Sequence, residues 1–84
     1  MNYGIKIKPR AIKNLKRIDK QDASKIADAI QKLQFDLNSP NIKKLTNFSP
    51  EYRLRIGNYR ILFEIEHTTE LVIYRIVHRK DAYR

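Results

Sequence analysis

The sequence predicts an α+β domain of order β-α-α-β-β-β, with two helices packed on one face of a small antiparallel-rich sheet. Three observations predict it. Apolar residues alternate with charged or small ones over residues 3–8, 52–56 and 59–65, which is the period of a half-buried strand. Apolar residues recur at helical spacing between Ala11 and Leu37, as amphipathic helices require. Residues 71–77 form a dense β-branched and aromatic run, as an internal strand does.

Each element has a local reason. Tyr3, Ile5 and Ile7 alternate with Gly4, Lys6 and Lys8 in the first strand. Pro9 fits the first turn of a helix, where its missing N–H costs nothing. Ala11, Ile12, Leu15 and Ile18 carry that helix. Asp19 or Asp22 is expected to cap the second, whose apolar stripe is Ala23, Ile26, Ala27, Ile30, Leu33 and Leu37. Asn38-Ser39-Pro40-Asn41 is expected to end it, because proline disfavours helix in the residue before it. Residues 42–50 are expected to be irregular.

Gly57-Asn58 then separates two alternating runs. Such a pair fits a two-residue hairpin turn, because glycine accepts a positive φ. In that register Ile56 faces Tyr59 and Arg55 faces Arg60. His67-Thr68-Thr69-Glu70 makes the next turn. Parity places Tyr52, Leu54, Ile56, Tyr59, Ile61, Phe63 and Ile65 under the helices. Arg53, Arg55, Arg60, Leu62 and Glu64 share the opposite face. On the last strand Val72, Tyr74 and Ile76 share one parity, and Arg75 and Arg79, of the other, are aimed at the arginine face.

Residues 1–84 make one small domain, with no linker, repeat or low-complexity stretch. The net charge is +9 and charged residues make up 32% of the chain, a balance that favours polyanionic partners. The two cations are segregated. Nine of ten lysines precede Phe48, and six of eight arginines lie at or after Arg53. Arginines on strands are held more rigidly than lysines on helix surfaces, so the second half is the candidate binding half. There are no cysteines, hence no disulfide framework and no thiolate zinc site. The start has no signal-peptide pattern, and nothing approaches the roughly 18 apolar residues of a membrane span. The expected location is cytoplasmic, with no membrane partner.

The sequence offers no metal site and no cofactor motif. His67 and His78 lack carboxylates at ligand spacing. The chain has two glycines, so phosphate-cradling glycine patterns are absent. Serines occur only at Ser24, Ser39 and Ser49, far from either histidine. What remains is arginines, His78 and Tyr83 around a sheet. Two directly opposed guanidinium groups destabilise a hairpin and suit phosphate, whose geometry the arginine fork matches.

That set suits metal-free RNA cleavage, in which the substrate supplies its own 2′-OH nucleophile. The protein must align that hydroxyl, take its proton, stabilise the phosphorane and protonate the leaving 5′-oxygen. Arginines stabilise charge well but make poor bases, since their pKa exceeds about 12. Proton transfer then falls to His78 or Tyr83, and Tyr83 can equally stack on a base. Lys43 and Lys44 are either solvated charges or outer phosphate contacts.

The run Glu51-Tyr52-Arg53-Leu54-Arg55-Ile56-Gly57-Asn58-Tyr59-Arg60-Ile61-Leu62-Phe63-Glu64, followed by Ile76-Val77-His78-Arg79-Lys80-Asp81-Ala82-Tyr83-Arg84, resembles a RelE-type toxin of the RelE/ParE toxin–antitoxin superfamily. The resemblance covers the whole chain. It implies an endoribonuclease, an mRNA interferase that cuts mRNA in the ribosomal A site without metal and so inhibits translation. It also implies a cognate RelB-like antitoxin that wraps and blocks the toxin. The resemblance carries over to Arg53, Arg55, Arg60, Arg79 and Tyr83. Together with the residue reading above, the expected catalytic groups are Arg60, Arg79, His78 and Tyr83, and the expected RNA-binding groups are Arg53, Arg55, Lys43, Lys44 and Arg75. Arg53 and Arg55 stand where the RelE pattern has lysines, which leaves His78 as the substitute for a lysine base. Two alternatives share the fold: a ParE-like gyrase-inhibiting toxin without nuclease chemistry, and a catalytically inactive RelE-fold binding module.

Overall fold

The computed structural model describes residues 3–47 and 49–81. Strand β1 (Gly4–Ile7) leads into helix α1 (Pro9–Lys16) and helix α2 (Lys20–Leu33). Strands β2 (Ile42–Lys44), β3 (Tyr52–Ile56), β4 (Tyr59–Glu66) and β5 (Glu70–His78) follow. The five strands form one mixed sheet in the order β1-β5-β4-β3-β2. Only β1 and β5 run parallel; the other neighbours are antiparallel. Neither helix is long or apolar enough to cross a membrane.

Local chemistry explains the boundaries. Pro9 stands at the first turn of α1, after an extended Lys8. Asp19 caps α2: its carboxylate accepts from the backbone N–H groups of Gln21 (2.9 Å) and Asp22 (3.1 Å). The Asp22 N–H is the main cause that holds the Asp19 carboxyl below its ordinary pKa. The expected order holds with one addition, because Ile42–Lys44 is an edge strand rather than irregular chain. It pairs Ile42 with Leu54, Lys43 with Arg53 and Lys44 with Tyr52. Helix α2 also ends at Leu33, before the Asn38-Ser39-Pro40 stop. The start of the chain intercepts it there: Gln34 Nε2 donates to Tyr3 O (3.0 Å), and the Tyr3 N–H donates to Gln34 O (3.2 Å). Leu37 still packs on the core from outside the helix, while Ala27 is exposed and Ala29 takes its place.

The core lies between the helices and one sheet face. Ala11, Ile26, Ile30 and Leu33 pack with Leu54, Ile61, Phe63, Leu71, Ile73 and Ile76. Tyr52 stacks on Phe63 with ring centroids 5.4 Å apart. Ile73 and Ile76 both join the core although they differ in parity. The reason is a bulge: Leu62 pairs with Arg75 but Phe63 pairs with Ile73, leaving Tyr74 as the extra residue. A bulge resets the alternation, so Val72, which pairs with Glu64, and Ile76, which pairs with Ile61, lie on opposite faces. The shared parity expected for Val72, Tyr74 and Ile76 therefore breaks within the strand.

Leu33 is 2% exposed at the centre of this packing. Leu33→Ala should lower the unfolding free energy by roughly 2–5 kcal/mol, because both transfer energy and a residual cavity are lost. Urea unfolding monitored by circular dichroism measures it. A loss well below that range would show that Leu33 does not fill a closed core.

Candidate functional site

The face of the sheet away from the helices carries the arginines, and the Gly57-Asn58 turn puts them there. Gly57 takes φ +55°, and the two-residue turn pairs Ile56 with Tyr59 and Arg55 with Arg60. The Arg55 N–H points outward to Asn41 O (3.0 Å), so Arg55 and Arg60 form a pair with no ladder hydrogen bonds between them. In such pairs the Cβ atoms stand closest, about 4.5–5.5 Å apart. Arg60 in turn pairs with Val77 on β5.

Arg60 is 6% exposed and is the sole charged residue buried among the described residues. Its Nε is buried without a hydrogen-bond partner there, and its Nη1 reaches only Tyr59 O at 3.5 Å. Burying a guanidinium with so little compensation is costly. Arg55 and Arg79 are exposed. The Arg79 N–H donates to Asn58 O (2.7 Å), which extends the ladder past His78 and holds Arg79 at the turn end of the sheet. One register step below Arg55 and Arg60, a cross-strand row reads Lys43, Arg53, Leu62, Arg75.

Two expected site residues stand apart from this group. Lys44 pairs with Tyr52, and His78 pairs with Tyr59; both tyrosines pack on the core side. Lys44 and His78 thus project from the helix-side face. His78 meets Tyr59 edge-on, with ring centroids 5.2 Å apart, and its Nδ1 accepts from the Lys80 N–H (3.2 Å). The reason is strand alternation: His78 lies between Val77 and Arg79, so it faces away from both. Tyr83 lies outside the described residues.

The same bare face is acidic at its other end. Glu64 and Glu66 alternate along β4, and Glu70 pairs with Glu66. Two of these carboxylates accept from side-chain hydroxyls. Glu64 accepts from Ser49 Oγ (3.2 Å), and Glu66 accepts from Tyr74 Oη (3.3 Å). Burial, with Glu64 and Glu66 close by, pushes the Tyr74 hydroxyl pKa up. Lys8 lies over the Tyr74 ring at 5.6 Å.

Sequence reasoning missed the part played by α1. Among the described residues the pairing of β1 on β5 ends at Ile73, and α1 packs against β5. Asn14 Oδ1 accepts from the Ile76 N–H at 3.0 Å, just past the bulge that presents Arg75. Arg10, Lys13 and Arg17 of this region line a cleft with Arg75. The signal was available as the i, i+3, i+7 spacing of three cations on one helix. On the opposite side, Ala29, Leu33, Phe35, Ile42, Leu54 and Ile56 help line a groove of about 610 Å³ between α2 and the β2–β3 edge, beside a Phe35 that is 68% exposed.

Known proteins share this fold. A family described as "ParE toxin of type II toxin-antitoxin system, parDE" matches residues 5–83. Toxin RelE3 of Methanocaldococcus jannaschii is 35% identical over 77 residues, covering 86% of this chain and 85% of that protein. The crystal structure of a RelB-RelE antitoxin-toxin complex from Methanococcus jannaschii contains a chain that matches with TM-score 0.77 at 31% identity, over 93% of this chain and 94% of that one. A chain of the archaeal RelE-RelB complex from Pyrococcus horikoshii OT3 matches with TM-score 0.78 over 98% of this chain and 100% of that one. At 22% identity that match speaks to fold alone.

The Asn14 bond is the contact between α1 and the bulge that a single substitution can remove. Asn14→Leu should destabilise the protein by about 1–3 kcal/mol, the cost of leaving a part-buried N–H unsatisfied. Asn14→Asp keeps the acceptor and should lose less. Hydrogen exchange at the Ile76 amide reports the same bond and should accelerate in Asn14→Leu. Unchanged exchange would show that Asn14 does not hold the bulge.

Proposed function

The chain belongs to the RelE/ParE superfamily of toxins of type II toxin–antitoxin systems, and on that premise we propose that it is a ribosome-dependent, metal-free mRNA endonuclease. The observation that carries this reading is Arg60: a buried guanidinium with a second arginine directly opposite. Two opposed guanidinium groups cost the hairpin stability and suit the charge of a phosphorane dianion. In the proposed reaction the 2′-oxygen of the substrate attacks the adjacent phosphorus and the 5′-oxygen leaves. A 2′,3′-cyclic phosphate and a free 5′-hydroxyl result. Water or a ribosomal group takes the 2′-OH proton, and water delivers one to the leaving 5′-oxygen.

Arg60 and Arg79 hold the scissile phosphate in this reading, while Arg53 and Arg55 align the flanking backbone and Tyr83 engages a base. Arg60 contributes a donor already fixed and desolvated, so little reorganisation is required as charge develops. Lys43 shares the row of Arg53 and fits an outer phosphate contact. Lys44 and His78 project from the other face, which favours catalysis by alignment and electrostatics over a histidine base. The cytoplasm, where mRNA and ribosomes are found, is the corresponding location.

A toxin of this charge requires a cover when silent. The related chains of solved structure are held in RelB-RelE complexes, and we assign this chain a RelB-like antitoxin. Its acidic groups would shield Arg55, Arg60 and Arg79. Its apolar side chains would use the groove beside Phe35. Complementary charge makes such association fast and salt-dependent.

Primer extension on a reporter mRNA in a purified translation system tests the reading. Cuts should appear only with ribosomes present. Arg60→Ala should lower the cutting rate by around 10²–10³, the typical effect of losing a charge-stabilising donor. His78→Ala should leave the rate within a factor of a few; a fall of about 10²–10⁴ would restore His78 as the proton acceptor. Intact mRNA together with inhibited DNA gyrase would replace the nuclease reading by the gyrase one.

A further inference from the structure

The cleft between α1 and β5 lies outside the arginine pair. It measures about 500 Å³ and is lined by Pro9, Arg10, Lys13, Asn14, Arg17 and Arg75. Four of these six residues are cationic and none is acidic. Arg10, Lys13 and Arg17 are exposed. Their i, i+3, i+7 spacing puts them on one helical face. Across from them, Arg75 Nε is buried without a hydrogen-bond partner among the described residues.

The helix dipole accounts for part of this charge. Lys13 and Arg17 lie at the C-terminal end of α1, where cations are favoured. Arg10 does not fit that explanation, because it sits in the first turn, where a cation is disfavoured. Nor does Arg75, which is presented by a bulge and left with an orphan donor. Bulges re-aim side chains next to functional sites. Through Leu62, Arg75 is also continuous with Arg53 and Lys43 in one cross-strand row.

We propose that the α1–β5 cleft is a second phosphate site, which binds the backbone of an RNA segment beyond the one held at Arg55 and Arg60. Arg75 is its fixed donor, and Arg10, Lys13 and Arg17 are its outer charges. The assignment to RNA rests on the nuclease reading above. The lining is dominated by cations, and Asn14 Oδ1 is committed to the Ile76 N–H. Contacts of that kind position a strand without reading its sequence.

The test measures binding of a fluorescein-labelled 20-nucleotide single-stranded RNA by anisotropy between 50 and 200 mM KCl. It compares the wild type with the triple variant Arg10→Gln/Lys13→Gln/Arg17→Gln, with Arg75→Gln and with Arg55→Gln/Arg60→Gln. Each lost phosphate contact removes about 0.7 from the slope of log K against log salt for a single strand. The triple variant should therefore lose about 2 from the slope, with its melting temperature unchanged because the three residues are exposed. Arg75→Gln should weaken binding in the same direction. Wild-type affinity and slope in both variants would overturn the proposal, even if Arg55→Gln/Arg60→Gln abolishes binding. Loss of affinity for poly-glutamate with RNA binding intact would overturn it in favour of an acidic polypeptide. Cleavage is scored separately, so RNA binding that depends on the stripe in a protein that cuts nothing would support the cleft while removing the nuclease reading.

Discussion

The two-residue turn at Gly57-Asn58 is the constraint on which the rest depends. It fixes the register of β3 on β4, and register decides which face every side chain occupies. A slip of β3 by one residue on a fixed β4 would turn Arg55 toward the apolar core and Leu54 out to water. The apolar core and the turn therefore enforce the same answer. That agreement lets the fold hold two guanidinium groups opposite each other. The core residues Leu54, Ile61 and Phe63 keep the hairpin in place, and the mutual repulsion of Arg55 and Arg60 is too small to shift it.

The bare face gathers its arginines toward the hairpin turn and its carboxylates toward the far end, where Lys6 shares the row of Val72 and Glu64. Arg55, Arg60 and Arg79 lie at the turn end, Arg53 and Arg75 one row below, and Glu64, Glu66 and Glu70 at the far end. Glu64 and Glu66 bond to Ser49 and Tyr74, and the buried Arg60 Nε has no partner among the described residues. Segregated charge of this kind focuses field at one end of a surface and raises the local concentration of anions. Strain recurs at the opposite end: His67 and Thr68 both take positive φ in the β4–β5 turn, which costs about 1–2 kcal/mol for each side-chain-bearing residue.

Much of this could be read from residue types and spacing. The alternation in residues 52–65 gave the hairpin, its turn and the Arg55–Arg60 pair, because a half-buried antiparallel strand has a clean period of two. Helix α2 was legible from Asp19, Ile26, Ile30 and Leu33. Three features were not. Strand β2 has three residues, too few to show a period. The end of α2 is set by a tertiary bond between Gln34 and Tyr3, which local proline chemistry does not reveal. The bulge at Tyr74 has no glycine to announce it, and the Ile76 N–H just past it is met by a side chain 62 positions away, that of Asn14. The face of His78 followed from the register with Tyr59, but the adjacency of His78 and Arg79 in the sequence suggested one site where alternation separates them.

The central claim is that Arg60 is kept for an anion at the expense of stability. Thermal unfolding of the wild type and Arg60→Met, each with and without inorganic phosphate, tests it most directly. Methionine retains much of the apolar stem of arginine and removes its charge, so the account predicts that Arg60→Met melts several degrees higher, as a gain of about 1 kcal/mol gives in a domain of this size. Phosphate should raise the melting temperature of the wild type by preferential binding to the folded state and should do so much less for Arg60→Met. A variant that melts below the wild type, with an equal response to phosphate, would contradict it.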